Sequence, residues 1–369
     1  MIYVIMTVIS CLLIILSYFF HSTKSEINSN SNSYFLLITG NMLSGILMLG
    51  SYFTLFIVGA VRYMVGIDYI TYSVYQIPHV LAGDVSVKVE SLYREVIKIG
   101  FSLSKGTNYQ YIFILTQFII IFFMALAIEK SSKISAFSIF IFVFSTFYAF
   151  SLSGMRQSIS IAIFLYAATF IEEKYPYKYI SLILLASLFH KFALIYLVLY
   201  VFKYIKLNLI YCLVSVPGLL LISSSLRKII VIISNKLNIY PEYFGGVFDT
   251  GSYKTVQMVY IILISVILVI IQKLITSESW EENRFFINIQ GLLTIIMGML
   301  TIIPTPSRIM YALLPVHIIL IPNLIKEIKN KNIRIIVIVG FIILYSLFFY
   351  ICIIKNNFYG TLPFRMWNF

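Results

Sequence analysis

The chain has 369 residues, of which 60% are hydrophobic and 11% charged, with 27 Lys and Arg against 14 Asp and Glu for a net charge of +13. Soluble domains carry roughly 25% charged residues, so a water-soluble enzyme, a nucleic-acid-binding domain and a disordered chain are excluded. The composition predicts an all-α polytopic membrane protein, because hydrocarbon admits only backbone whose polar groups are paired internally.

Apolar runs follow one another along the whole chain: residues 1–20, 34–60, 111–128, 134–150, 158–171, 179–202, 207–226, 255–275, 285–303, 309–324 and 335–354. The first lacks a charged n-region and an A-x-A site, so it reads as a span and not as a cleaved signal. Cys11, Cys212 and Cys352 each lie in an apolar run without metal-ligand spacing. Most cations sit in short loops between runs, where they point to anionic lipid and the positive-inside rule. The densest such loop, with Lys326, Lys329, Lys331 and Arg334, is placed in the cytoplasm.

Counts of sidedness from the two ends agree only if residues 179–202 enter and leave the membrane on the same side. The middle of that run holds His190 and Lys191, which are costly at the centre of a single span. It is therefore expected to be a broken or hairpin helix pair around His190. The result is one integral membrane domain over residues 1–369, with about 11–12 transmembrane helices, both termini outside and a long extracytoplasmic loop at 62–110.

That loop starts with Arg62. Asp68, Tyr72 and Tyr75 follow at i, i+4 and i+7, on one face of a short helix that Pro78 would stop. A carboxylate among aromatic rings suits a sugar, whose faces stack and whose hydroxyls donate; an interfacial aromatic belt with an Arg–Asp pair is the plainer alternative. Residues 89–103 carry Leu92, Val96, Ile99 and Leu103 at helical spacing, with Glu90, Arg94, Glu95 and Lys98 mostly off that face. They are expected to form an amphipathic helix lying on the bilayer or packing over the bundle.

Ser153 and Gly154 precede Arg156 at a helix start. A cation at the positive end of a helix dipole is locally unfavourable unless it shares an anion such as phosphate with the free backbone N–H groups. The alternative is an arginine snorkelling to head groups. His190 fits either a helix-packing hydrogen bond or a general base in a cavity. Arg308 follows Pro304-Thr-Pro306, with Tyr311 one turn on, and reads as an anion site or a lipid anchor. No Walker A, HExxH, G-x-S-x-G or D-x-D pattern is present, and His21, His79 and His317 share no metal spacing. No metal and no cofactor is therefore expected.

Four stretches carry a resemblance. Arg62-Tyr-Met-Val-Gly-Ile-Asp68-Tyr69 with Tyr72, Glu90-Ser-Leu-Tyr93, Ser153-Gly-Met-Arg156-Gln157 and Leu188-Phe-His190-Lys occur in that order over residues 60–200. Together they resemble the EpsG/Wzy family of bacterial polysaccharide polymerases, which make O-antigen, capsule or exopolysaccharide. The resemblance implies a multi-pass protein of the bacterial cytoplasmic membrane with an architecture similar to GT-C glycosyltransferases. It implies a glycosyltransferase that joins oligosaccharide repeat units carried on undecaprenyl diphosphate at the outer face, with no cofactor. The growing chain passes from its lipid diphosphate to the hydroxyl of a new unit.

Its partners would be that lipid-linked oligosaccharide and membrane lipid, with a chain-length regulator and a flippase as protein candidates and no nucleic acid. A diphosphate leaving group calls for cations, for which Arg156, Arg308 and Arg62 are candidates. His190 is the candidate base and Asp68 its alternative. Tyr69, Tyr72, Tyr75, Glu90, Tyr93, Gln157 and Tyr311 are the candidate sugar contacts. A different glycosyl- or acyltransferase acting on the glycan, or a flippase for the lipid-linked unit, is the rival expectation.

Overall fold

A computed structural model describes residues 1–22, 33–172, 175–237, 244, 254–299 and 306–368. These residues form helices and turns, with a lone antiparallel bridge between Arg62 and Met366. They group into two compact units, Met1–Leu194 with Phe349–Phe369, and Ile195–Phe348.

The first unit holds α1 (Ile2–Ser22), α2 (Ser33–Ala60), α3 (Ile77–Leu81), α4 (Ser91–Leu103), α5 (Gln110–Ser131), α6 (Ser135–Phe144), α7 (Phe147–Ser153), α8 (Met155–Glu172) and α9 (Pro176–Ser187). Helices α1 and α2 meet along small polar residues. Ser10 Oγ lies 2.9 Å from Ser51 Oγ, and Ser17 Oγ lies 3.1 Å from Ser44 Oγ. Such contacts join helices in lipid, where apolar burial gives no net drive. Helix α8 is apolar on nearly all sides and almost wholly buried, as a central helix must be.

Between α6 and α7 the chain bends by 54°, at Thr146, whose φ of 67° is left-handed. Residues 134–150 therefore do not form a straight span. After α9 the helix ends at Ser187, and a 3₁₀ turn over Lys191–Leu194 follows His190.

The second unit holds α10 (Ile195–Leu199), α11 (Leu209–Leu237), α12 (Lys254–Gln272), α13 (Ser277–Glu282), α14 (Arg284–Gly298), α15 (Pro306–Leu313), α16 (His317–Lys326) and α17 (Lys331–Phe349). A hydrogen-bonded chain runs through its core. His317 Nε2 lies 2.5 Å from Gln290 Oε1, Gln290 Nε2 donates to Ser265 Oγ at 2.7 Å, and Ser265 Oγ lies 2.6 Å from Thr294 Oγ1. Because the Gln290 amide donates to Ser265, its oxygen is the acceptor. His317 then carries its proton on Nε2, and its Nδ1 accepts from Tyr345 Oη at 3.2 Å.

The fold is the all-α polytopic membrane class. Among the described residues, seven helices are long and apolar enough to cross a membrane, eight if α6 and α7 form one broken span. Shorter apolar helices fall below that length. Helix α14, with 15 residues, rises about 22 Å at 1.5 Å per residue, short of a hydrocarbon core of roughly 30 Å.

The loop after α2 is fixed by the C-terminal tail of the same unit. Tyr63 N–H donates to Arg365 O at 2.9 Å, Gly66 N–H to Gly360 O at 3.0 Å, and Trp367 N–H to Val61 O at 2.7 Å. Gly66 has φ +108°, and a Cβ there would meet Leu152 O at 2.5 Å. Only glycine allows the turn and the close approach together.

Helix α4 turns one face to the rest of the unit and leaves part of its apolar stripe exposed. Tyr93, Val96, Ile97 and Gly100 are buried, whereas Ile99 and Leu103 are each 53% exposed. Gly100 is the cause. A Cβ there would stand 2.7 Å from Ile112 Cγ1 of α5, so the glycine sets the side of closest contact.

Candidate functional site

Three of the residues singled out in the sequence meet at one point of the first unit. Glu90 is the N-cap of α4, Arg156 lies in the first turn of α8, and His190 stands in the break after α9. Arg156 Nη1 donates to Glu90 Oε2 at 2.5 Å and to Lys88 O at 3.0 Å. His190 Nδ1 is 3.3 Å from Glu90 Oε1. At that distance the two atoms face each other without hydrogen-bond alignment. The Lys191 N–H donates to the same Oε1 at 3.2 Å. One carboxylate thus joins three segments far apart in sequence.

Backbone contacts hold the cluster from both sides. Leu92 N–H donates to Leu188 O at 3.0 Å, which docks the first turn of α4 on the break before His190. Arg94 gathers the approach to α4, donating to Val89 O at 2.9 Å, Val87 O at 2.5 Å and Asp84 O at 3.1 Å. Tyr72, on a π-helical turn over Thr71–Gln76, is buried and hydrogen-bonds Arg156. A cleft of about 330 Å³ opens beside Glu90, lined also by Ser91, Arg94, Ser187 and Lys191.

The Glu90 carboxyl is held at about 2, below the usual carboxylate range. Burial, the largest single influence, pushes it up; the His190 contact and the Arg156 charge together outweigh burial. A depressed folded value means that Glu90 adds stability above the ordinary carboxylate range. This stability is lost as pH falls from there toward 2. Thermal unfolding of solubilised wild type and Glu90→Gln, from about pH 7 down to about pH 3, should show a gap that closes on acidification. A gap of constant width would mean that Glu90 is not ionised in the folded protein.

Arg62 lies elsewhere, in a closed chamber and not on the cleft. It is 1% exposed. Its Nη2 donates to Met155 Sδ at 2.8 Å, a weak acceptor. Its Nε and Nη1 have no hydrogen-bond partner. The guanidinium stands 5.4 Å from the Phe113 ring centre, and Tyr69 stacks on that ring at 4.5 Å. Burial pulls its pKa down, opposed by Tyr148, Tyr93, Tyr69 and Tyr3. No carboxylate hydrogen-bonds it. The Arg62–Asp68 pair of the plainer alternative does not form, because the left-handed turn at Gly66 carries Asp68 toward α7, where its N–H donates to Ser153 Oγ at 3.2 Å.

The other expected contacts divide by exposure. Tyr69 is 5% exposed, Tyr72 5% and Tyr93 0%. These three present no open ring face; they wall the chamber and support Arg156. Gln157 is also buried, Asp68 is half-buried and Tyr75 is exposed with its ring 4.6 Å from His79. Arg308 and Tyr311 belong to the second unit, on α15. There Arg308 is exposed and Tyr311 fully buried, and Pro304 lies outside the described residues. Sequence reasoning took Glu90 for a sugar contact, passed over Met155, and noted Lys191 only as an interruption of its apolar run. The one available signal was that acids are rare in this chain, so an acid beside several cations has to be shared.

A family model described as the EpsG family matches residues 45–366, which takes in the whole cluster, the Arg62 chamber and α15. No curated protein and no solved structure matches the chain.

Proposed function

The chain belongs to the EpsG family, a multi-pass membrane protein of the polysaccharide-polymerase kind, and from that premise we propose that it joins undecaprenyl-diphosphate-linked oligosaccharide repeat units at the outer face of the bacterial cytoplasmic membrane. A hydroxyl of the acceptor unit attacks the anomeric carbon of the growing chain. The bond from that carbon to the diphosphate oxygen breaks, undecaprenyl diphosphate leaves, and the hydroxyl proton passes to a base.

The reading rests on one observation, the Glu90 carboxylate set between Arg156 and His190 at the edge of a cleft. Glu90 facing Nδ1 favours the tautomer with its proton there, which leaves Nε2 to take the acceptor proton. Glu90 is then a positioning residue and His190 the base, with Asp68 as the alternative base. Arg156 stays charged next to Glu90, a cation suited to an oxygen of the diphosphate. Arg308 is a further candidate for that charge, and exposed Tyr75 for a sugar face.

The test is the lipid-linked glycan profile of cells lacking the gene. One complete repeat unit accumulating on the lipid, with no ladder above it, is the expected result. Polymer that persists with a mass altered by one sugar or acyl group would overturn the polymerase and favour a modifying transferase. A complete unit trapped on the cytoplasmic face would favour a flippase instead.

A further inference from the structure

The cleft beside His190 presents a cation that the chemistry above leaves unused. Three charged side chains line it, Glu90, Arg94 and Lys191. Both oxygens of Glu90 are engaged, one by Arg156 and the other by the Lys191 N–H and His190. Arg94 keeps its charge, but its three donor groups go to backbone carbonyls. Lys191 differs from both. Its backbone is fixed by Glu90 while its side chain is exposed to the cleft.

An ammonium is a compact charge with three donors that rotate to suit an oxyanion. Ser91, also exposed on the cleft, adds a hydroxyl. With the negative charge of Glu90 already spent on Arg156, the lining charges leave the cleft positive, and low-dielectric walls concentrate that field.

We propose that this cleft is an oxyanion subsite in which the Lys191 ammonium, with the Ser91 hydroxyl, grips an anionic group of the glycan substrate. This rests on the polymerase reading for its substrate class. His190 directly precedes Lys191, so a base there brings the acceptor next to this cleft, and the favoured source of the anion is an acidic sugar of the acceptor unit, such as a uronate. The diphosphate of the donor has the same oxyanion chemistry and is the other source.

The test is binding to the purified full-length protein in lipid nanodiscs, with digalacturonic acid and inorganic pyrophosphate as separate probes. Wild type is compared with Lys191→Ala and Lys191→Arg. A Kd at least tenfold weaker in Lys191→Ala and close to wild type in Lys191→Arg is expected for one probe. Dependence seen with digalacturonic acid assigns an acidic acceptor, and dependence seen with pyrophosphate assigns the donor. Binding of neither probe, or binding unchanged in Lys191→Ala, overturns the subsite. Lys191 is exposed, so its replacement leaves the core intact. The readout needs no turnover, so a Lys191-dependent site in a chain whose deletion leaves polymer unchanged would sink the polymerase and not the subsite.

Discussion

Cells carrying His190→Ala should accumulate single lipid-linked repeat units and form polymer about 10²–10⁴ times more slowly than wild type, the range for a lost general base. The residue is well placed for so large an effect. Its ring is partly open, with 27% of the side chain exposed, and its Nδ1 faces a carboxylate that two other segments hold in place. Glu90→Gln should cost less, about 10–100-fold, because it loosens the ring without removing it. The double variant should be no slower than His190→Ala alone, since residues acting as one unit are not additive. Asp68→Asn separates the two candidate bases: a loss as large as that of His190→Ala would move the role to Asp68. Polymer of normal yield and length from His190→Ala would remove the base assignment altogether.

Arg62→Met should make the protein more stable and less active. A charge that is 1% exposed, with two of its three nitrogen groups unpaired, bears a desolvation cost that its neighbours offset only in part. The Phe113 face returns about 0.5–2 kcal/mol of this, and the Met155 sulfur is a weak acceptor. A methionine of similar reach fills the chamber without the charge, so a gain of about 1–4 kcal/mol is expected, read by thermal unfolding in detergent. Function should move the other way. Arg62 grips Met155, the residue before Arg156, and so fixes the first turn of α8. Polymer formation should fall at least about tenfold, equivalent to about 1.4 kcal/mol of barrier. A destabilised Arg62→Met protein would mean that the aromatic and tyrosine contacts outweigh the burial cost. A fully active one would mean that Arg62 has no bearing on Arg156.

The two residues show how different arginines can look alike in sequence. Arg62 and Arg156 both abut apolar runs, and both read as candidates for a diphosphate. In the structure one is closed off among tyrosines, and the other is shared between a carboxylate and a phenol at a cleft. Burial on that scale depends on the tail crossing back over residues 61–67, an arrangement between chain segments about 300 residues apart. No local pattern around Arg62 carries it.

Fold class, by contrast, was fully legible. Long apolar runs with little charge have one stable solution in hydrocarbon, helices that pair their own backbone groups, and that constraint is local to each run. The positions of Arg156 and His190 at helix interruptions were legible for the same reason, since a cation or an imidazole is costly within a span. The bend within residues 134–150 was not, because hydropathy records an apolar run but not a left-handed residue such as Thr146 that bends it. Nor was the closest approach of α4 to α5, which Gly100 allows. The site itself is a tertiary property. Glu90 lies 66 residues from Arg156 and 101 from Lys191. Which cations a scarce carboxylate neutralises depends on distances of a few ångströms, set by how α4, α8 and the break after α9 pack together.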